Sequence, residues 1–430
     1  MNPHIFLVAG EESGDRLGAA LVAAIRDRTQ GKAHFSCVGG AHMAAEGVPS
    51  LFPLGDLAIV GFTSIPLRLP KILRRIREAA DAVIAANPDV LVIIDSPEFT
   101  HRVARRVRER APHIPIVDYV CPSVWAWRPG RARAMQSYVD HVLALLPFEP
   151  KAMNDLGGPP CTFVGHPLSE RLSDLRPNEL EARLRRADPP LVLVLPGSRR
   201  AEIRRMAPVF GLAIARVVEQ YGPLEAVVPA VPRLVDTVRA AIATWPIPAR
   251  VTADPNEKHE AFKTARAALT KSGTSTLELA LAGIPMVAAY KVSLVEAIVG
   301  RLLIHAQSAI LANLVLGKNV VPEFLQRDCT ADRLAAALLP LLADTPERRR
   351  QIEAFSRLDD LMEIGKATPS AHAASLVLGA VGSRGRASQQ PALWRGLQAC
   401  RRPAFSFPLP PGEGPGVRGR LRAQTRPPAS

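Results

Sequence analysis

The sequence predicts an α/β fold with parallel sheets arranged in two lobes. Three observations predict it. Short apolar runs alternate with amphipathic helical runs from the first residues onward, the pattern of βα units. The run "DVLVIIDSPEF" is continuously apolar, as a strand covered on both faces of a parallel sheet must be. The strand–helix series then begins afresh at "PLVLVLPGSRRAEI", after a polar, proline-punctuated stretch near 175–190.

Taken in order, "HIFLVAG" is the first strand, and "SGDRLGAALVAAIRDR" an amphipathic helix with Ser13 or Asp15 as its cap. "FSCVGG" follows as a short strand and "AHMAAEG" as a short helix closed by glycine. "DVLVIIDSPEF" supplies the central strand of the first sheet. "LRPNELEARLRRADPP" reads as a hinge. The second series runs through "LEAVVPA", "ARVTA", "ARAALTKSG" and "IPMVAAYKV", and "TPERRRQIEAFSRL" and "SAHAASLVLGAV" give late helices. The expected organisation is two Rossmann-like domains around one cleft, 1–175 and 176–335, then C-terminal helices over 336–380.

At 430 residues, 47% of them hydrophobic, the chain has material for two sizeable cores. Five scattered cysteines (Cys37, Cys121, Cys161, Cys329, Cys400) contain no CxxC pair, which argues against a disulfide framework or a zinc site and for a reducing compartment. No apolar run reaches the length of a membrane span, and the N-terminus lacks a basic leader, so a cytoplasmic protein is expected. Of the net charge of +14, residues 381–430 carry +8, with nine arginines against the single acid Glu413. That tail is rich in Pro and Gly, shows no periodicity, and is expected to be disordered. Because the charge is concentrated there and no nucleic-acid module is recognisable, nucleic acid is not an expected partner.

The chemistry is expected at strand-to-helix corners, where open α/β sheets bind ligands. "VAGEESGD" carries Glu11, Glu12 and Asp15, too acidic for a phosphate cradle and better suited to sugar hydroxyls or proton transfer. "VIIDSPEF" places Asp95 where the central strand leaves the core, a candidate general base. In "LPGSRRAEI", Gly197 and Ser198 make the turn, and Arg199 supplies a cation for a diphosphate leaving group. In "KSGTSTLE", Ser272, Gly273, Thr274, Ser275 and Thr276 present backbone N–H groups and hydroxyls to a phosphate. Glu278, a turn further on, is placed to accept ribose hydroxyls. His166 in "FVGHPL" reads equally well as a site residue or as a hydrogen-bonded contact between lobes.

In this order these corners resemble the lipid-A-disaccharide synthase family. The matching segments are "LVAGEESGDRLGAAL", "VGGAHMAAEGV", "IIDSPEF", "YVCPSVWAWRPGRARAM", "LPFE", "FVGHPL", "LPGSRRAEI", "SGTSTLELALAGIPMV" and "NLVLGKNVVPEFLQ", spanning about residues 5 to 330. The resemblance implies an inverting glycosyltransferase of the GT-B fold. It would transfer 2,3-diacylglucosamine from its UDP conjugate to the 6-hydroxyl of 2,3-diacylglucosamine 1-phosphate, giving a β-1,6-linked disaccharide 1-phosphate and UDP. It also implies that Asp95 and Glu11 are catalytic, with the choice of base between them open, and that Arg199, Ser272 to Thr276, Glu278 and Asn313 lie around UDP. Neither a metal nor another cofactor is implied. Ala312 replaces a proline common in the family, which bears on the loop holding Asn313. Members can pair as homodimers through the C-terminal end, where this sequence carries its own tail.

Acylated substrates require a membrane surface. The segment "IVGFTSIPLRLPKILRRIREAADAVI" mixes Leu67, Leu69, Ile72, Leu73 and Ile76 with arginines and a lysine, and is expected to lie peripherally on the cytoplasmic face of the inner membrane. UDP-sugar 2-epimerases share the two-lobed architecture but use no acyl acceptor.

Overall fold

The computed structural model describes residues 2–57, 65–293, 308–363 and 367–381, with only the backbone described over 65–68. The expected tail therefore lies, beyond Val381, outside the described residues. Two six-stranded sheets carry the fold, and every neighbouring pair of strands in them is parallel. The first contains β1 (His4–Ala9), β2 (His34–Val38), β3 (Val90–Ile94), β4 (Ile116–Tyr119), β5 (His141–Ala144) and β6 (Cys161–Phe163), in the order β2-β1-β3-β4-β5-β6. The second contains β7 (Leu191–Leu195), β8 (Glu225–Pro229), β9 (Arg250–Thr252), β10 (Ala267–Lys271), β11 (Met286–Tyr290) and β12 (Glu323–Leu325), in the order β12-β11-β10-β7-β8-β9.

The strand order decides where a ligand can sit. In the first sheet the chain winds outward in one direction from β1 and in the other from β3. In the second the same reversal falls between β7 and β10. The loops leaving the two strands at such a reversal diverge and open a crevice at their carboxyl ends.

Strand residues alternate between two buried layers, because successive side chains point to opposite faces. Ile5, Leu7 and Ala9 of β1 pack into one layer, and Phe6 and Val8 into the other. Each fully buried Val, Leu or Ile contributes about 1.5–3 kcal/mol relative to exposure, so a one-residue slip of register would be costly. The helix Ile65–Ala86 presents Ile76, Ala79, Ala80 and Val83 to the same layer as Phe6, at the helical spacing that makes a core-facing stripe.

The two halves are stitched at two places. Leu146 and Phe148, just after β5, pack with Leu277, Leu281 and Ile310 of the second half. The helix Pro369–Val381 returns to the first half and sets Ala373, Ala374 and Val377 against the layer containing Leu21 and Ile25 of the helix Glu12–Thr29. The stretch read as a hinge is itself folded and docked. Asn178 and Glu181 form a reciprocal capping box, and Arg185 donates to the carbonyls of Phe262, Lys263, Ala282 and Gly283.

Candidate active site

Asp95 stands at the carboxyl end of β3 with φ of 54°, followed by Ser96 at 45°. Two successive non-glycine residues in the left-handed region are strained, and strain of this kind persists only where surrounding contacts hold it. Here Asp95 Oδ1 accepts from the Ser96 N–H at 2.7 Å, and Oδ2 accepts from the Ser13 hydroxyl at 2.8 Å. Thr100 donates to the Asp95 carbonyl at 2.6 Å. Ser13 belongs to the helix that follows β1, so the carboxylate bridges the loops on both sides of the first reversal. Gly10 makes this possible, since a Cβ there would lie 2.5 Å from Ser96 Cβ. Glu11 occupies the N-cap of the helix Glu12–Thr29 and is exposed beside this point.

The helix cap expected from Ser13 or Asp15 is not formed. Ser13 is engaged with Asp95, and no side chain caps that helix. Asp15 is buried and accepts instead from the N–H groups of Gly40, His42 and Met43, at 2.7, 2.8 and 3.1 Å. It therefore caps the next helix, Ala41–Ala45, across a loop that sequence distance alone does not connect to it.

Beneath Asp95 lies a buried polar group that sequence reasoning missed. His101 Nε2 is 3.1 Å from Asp118 Oδ2, and its Nδ1 is 3.0 Å from the Tyr138 hydroxyl. Burial pushes the Asp118 carboxyl above its usual range, His101 pulls it back, and the charge of Asp95 pushes it up again. Register pairs Asp118 with Ile93 on the neighbouring strand, two residues before Asp95. The available signal was a lone acid inside the apolar strand "IPIVDYV".

At the second reversal, Gly197 has φ of 131°, and a Cβ there would lie 2.6 Å from Glu202 Cβ, so glycine is required. Glu202, nearly buried, accepts from the Ser198 N–H at 3.0 Å and pairs with Lys271 at 3.1 Å, tying the loop after β7 to the end of β10. Arg199 projects with its side chain 80% exposed and only a loose 3.7 Å approach to Glu202, so its cation is available to a ligand. Glu278 pairs with Lys258 at 2.9 Å.

Several expected ligand groups are already occupied. Ser272 is buried and donates to the Ala309 carbonyl at 2.6 Å; Thr276 is buried and donates to the Gly273 carbonyl at 2.7 Å. These two hydroxyls shape the corner, which leaves Gly273 (φ of 153°), exposed Thr274 and half-buried Ser275 as its rim. Asn313, expected to lie around UDP, has its amide engaged by the backbone. It is buried, its oxygen accepts from the N–H groups of Val320 and Val321, and its nitrogen donates to the Val321 carbonyl.

His166 is buried and accepts from the Leu168 N–H through Nδ1, and burial holds its pKa down at about 4. In the segment expected to meet a membrane, Leu69 is 43% exposed, while Ile72 and Leu73 are half-buried against the first core. Ile76 is wholly buried, which corrects its assignment as a membrane contact: it anchors the helix to its own sheet. The side chain of Leu67 lies outside the described residues. Lys71 and Arg75 both pair with Asp56, so these two cations are committed within the molecule.

A family model described as lipid-A-disaccharide synthetase matches residues 5–376. The chain is 59% identical over 377 residues to the lipid-A-disaccharide synthase of Nitrobacter winogradskyi, covering 88% of this chain and 95% of that one. It is 58% identical over 374 residues to the synthase of Bradyrhizobium diazoefficiens, covering 87% and 95%. Among solved structures, a UDP-GlcNAc 2-epimerase from Neisseria meningitidis superposes with a TM-score of 0.59 at 12% identity, over 87% of this chain and all of that one. A glycotransferase of kitacinnamycin gives 0.59 at 16% identity, over 88% and 98%. At such identities the structural likeness establishes the fold alone, a GT-B-type pair of Rossmann-like domains.

Proposed function

The chain belongs to the lipid-A-disaccharide synthetase family, and from that premise we propose how its own residues perform the transfer. The activity is that of a UDP-sugar-dependent glycosyltransferase of lipid A biosynthesis: 2,3-diacylglucosamine moves from UDP to the 6-hydroxyl of 2,3-diacylglucosamine 1-phosphate. One observation carries the residue assignment. Each of the two topological reversals bears one part of the required chemistry, a held carboxylate at the first and an exposed arginine over a glycine turn at the second.

Asp95 takes the proton from the acceptor's 6-hydroxyl as that oxygen attacks the anomeric carbon. The Ser13 hydroxyl and Ser96 N–H fix the direction of its lone pairs, which is the orientation a general base needs. Glu11 lies beside it on the acceptor side. Arg199 meets the diphosphate and stabilises the negative charge that grows on it as the glycosidic bond breaks. Gly197 and Ser198 let the backbone approach, Gly273, Thr274 and Ser275 form the opposite rim, and Glu278 receives the ribose. Ser272, Thr276 and Asn313 hold this corner in shape from behind.

No described helix is long and apolar enough to cross a membrane. Contact with the acylated substrates is proposed through the N-terminal part of the helix Ile65–Ala86, where Leu69 and Arg74 are exposed, on the cytoplasmic face of the inner membrane. Homodimer pairing through the C-terminal end is the proposed assembly.

The experiment is transfer with purified enzyme and both acylated sugars. Disaccharide and UDP should appear in equal amounts and only when acceptor is present; UDP release without acceptor would favour the epimerase reading. Asp95→Asn should lower kcat by roughly 10²–10⁴-fold, the usual range for a general base. Near-parental turnover would transfer the role to Glu11.

A further inference from the structure

Three arginines converge on one carboxylate next to Asp95. Glu98, in the first turn of the helix Pro97–Arg110, lies 2.5 Å from Arg131 and 3.6 Å from Arg128 through Oε1, and 4.0 Å from Arg102 through Oε2. These cations hold the Glu98 carboxyl below its usual range against the opposing effect of burial. The group retains an excess of two positive charges. Arg128 and Arg131 both lie against the Trp127 ring, 4.4 and 5.7 Å from its centre. Arg128 has φ of 54°, a strained backbone setting for a long side chain. Its side chain is 55% exposed, and that of Arg102 46%. Arg131 is more enclosed, its side chain 17% exposed. The looser, exposed contacts of Arg128 and Arg102 contribute little to stability, so holding the fold together explains neither the strain at Arg128 nor the surplus charge.

We propose that Arg128 and Arg131, on their Trp127 platform, bind the 1-phosphate of the acceptor sugar, with Arg102 adding charge at the edge. This rests on the transfer reaction assigned above and names the part of the acceptor that the site recognises. Geometry favours it. Glu98 lies three residues after Asp95, in the first turn of the helix that the Asp95–Ser96 corner leads into. On a hexopyranose the 1-phosphate lies across the ring oxygen from the 6-hydroxyl, so one sugar can present its hydroxyl to Asp95 and its phosphate to the arginines. Arginine suits the task, because its planar fork meets phosphate oxygens in pairs and its face stacks on an aromatic ring. In the absence of phosphate, Glu98 supplies the anion.

The test compares two acceptors, 2,3-diacylglucosamine 1-phosphate and the same sugar without phosphate, in Arg128→Ala, Arg131→Ala and Arg128→Lys. For each alanine variant the KM for the phosphorylated acceptor should rise roughly ten- to hundredfold, the loss expected for one charged hydrogen-bonding partner. kcat should stay close to parental, and Arg128→Lys should recover part of the loss. KM for the unphosphorylated acceptor and the affinity for UDP should be unchanged, which also shows that the variants are folded. Equal losses on both acceptors, or no loss on either, overturn the proposal. A parent enzyme that transfers to neither acceptor overturns the assigned reaction itself, and the subsite with it.

Discussion

Asn313 shows how a residue in a recognised pattern acquires a different task from its surroundings. Its amide takes three backbone partners from Val320 and Val321, so removing it leaves buried N–H groups without an acceptor. Each such orphan costs about 1–3 kcal/mol. Asn313→Ala is therefore expected to lower stability by about 2 kcal/mol or more, read as a shift of the urea midpoint with and without UDP. An unchanged midpoint with weakened UDP binding would return Asn313 to the ligand. Asp95 and Arg199, by contrast, stand where their sequence neighbours put them, at the ends of apolar runs. Ser272 and Thr276 stood in the same hydroxyl-rich run as Thr274 and Ser275, and nothing in that run distinguishes the occupied hydroxyls from those on the rim.

The helix Ile65–Ala86 argues the same point at the level of an element. Its sequence mixes apolar and basic residues at a spacing that suits either a membrane surface or a core. The structure divides it along its length: Ile76 onward packs on the sheet, and Leu69 faces out. Ile76→Ala should therefore destabilise the protein by about 2–5 kcal/mol, as buried large-to-small changes do. Leu69→Ser should leave stability within about 0.5 kcal/mol and reduce flotation with anionic liposomes. Unchanged flotation in the folded Leu69→Ser protein would remove this segment from the membrane-binding surface. The "CPSVWAWRPGR" motif divides in the same way. Trp125 donates to Glu149 at 3.3 Å and packs edge-on against Phe148, on the contact between halves. Trp127 instead carries the two arginines.

At the scale of the molecule, Glu149 sits where the halves meet, accepting from the Leu145 and Leu146 N–H groups, its carboxyl pushed by burial up to about 7. The folded protein keeps this proton up to about pH 7, while the unfolded chain gives it up near 4.5. Stability from this group is thus present at low pH and lost as pH rises from about 4.5 to 7. His141 and His166 act in the opposite sense. Burial lowers them from 6.5 to about 3 and about 4, so their contribution is present above about pH 6.5 and lost as pH falls. The parent profile should be a partial cancellation. Relative to the parent, Glu149→Gln should gain up to about 3 kcal/mol between pH 4.5 and 7, measured by urea unfolding. A pH-independent difference would mean that Glu149 is not buried in solution as it is here.

By itself the sequence determined the alternation of strands and helices, the two parallel-sheet halves, and the strand-to-helix corners that carry the candidate residues. Each of those follows from local patterning: period of hydrophobicity, glycine at a turn, a polar residue where an apolar run ends. Only the tertiary structure decided which polar groups at those corners remain available to a ligand. Ser272 meets a carbonyl 37 residues away, Asp15 caps a helix 27 residues on, and Asp118 finds His101 from a neighbouring element. Such partners are fixed by sheet order and packing, and a side chain's hydrogen-bonding capacity is finite. The local pattern can therefore name the candidates, while long-range contacts determine which of them are already satisfied.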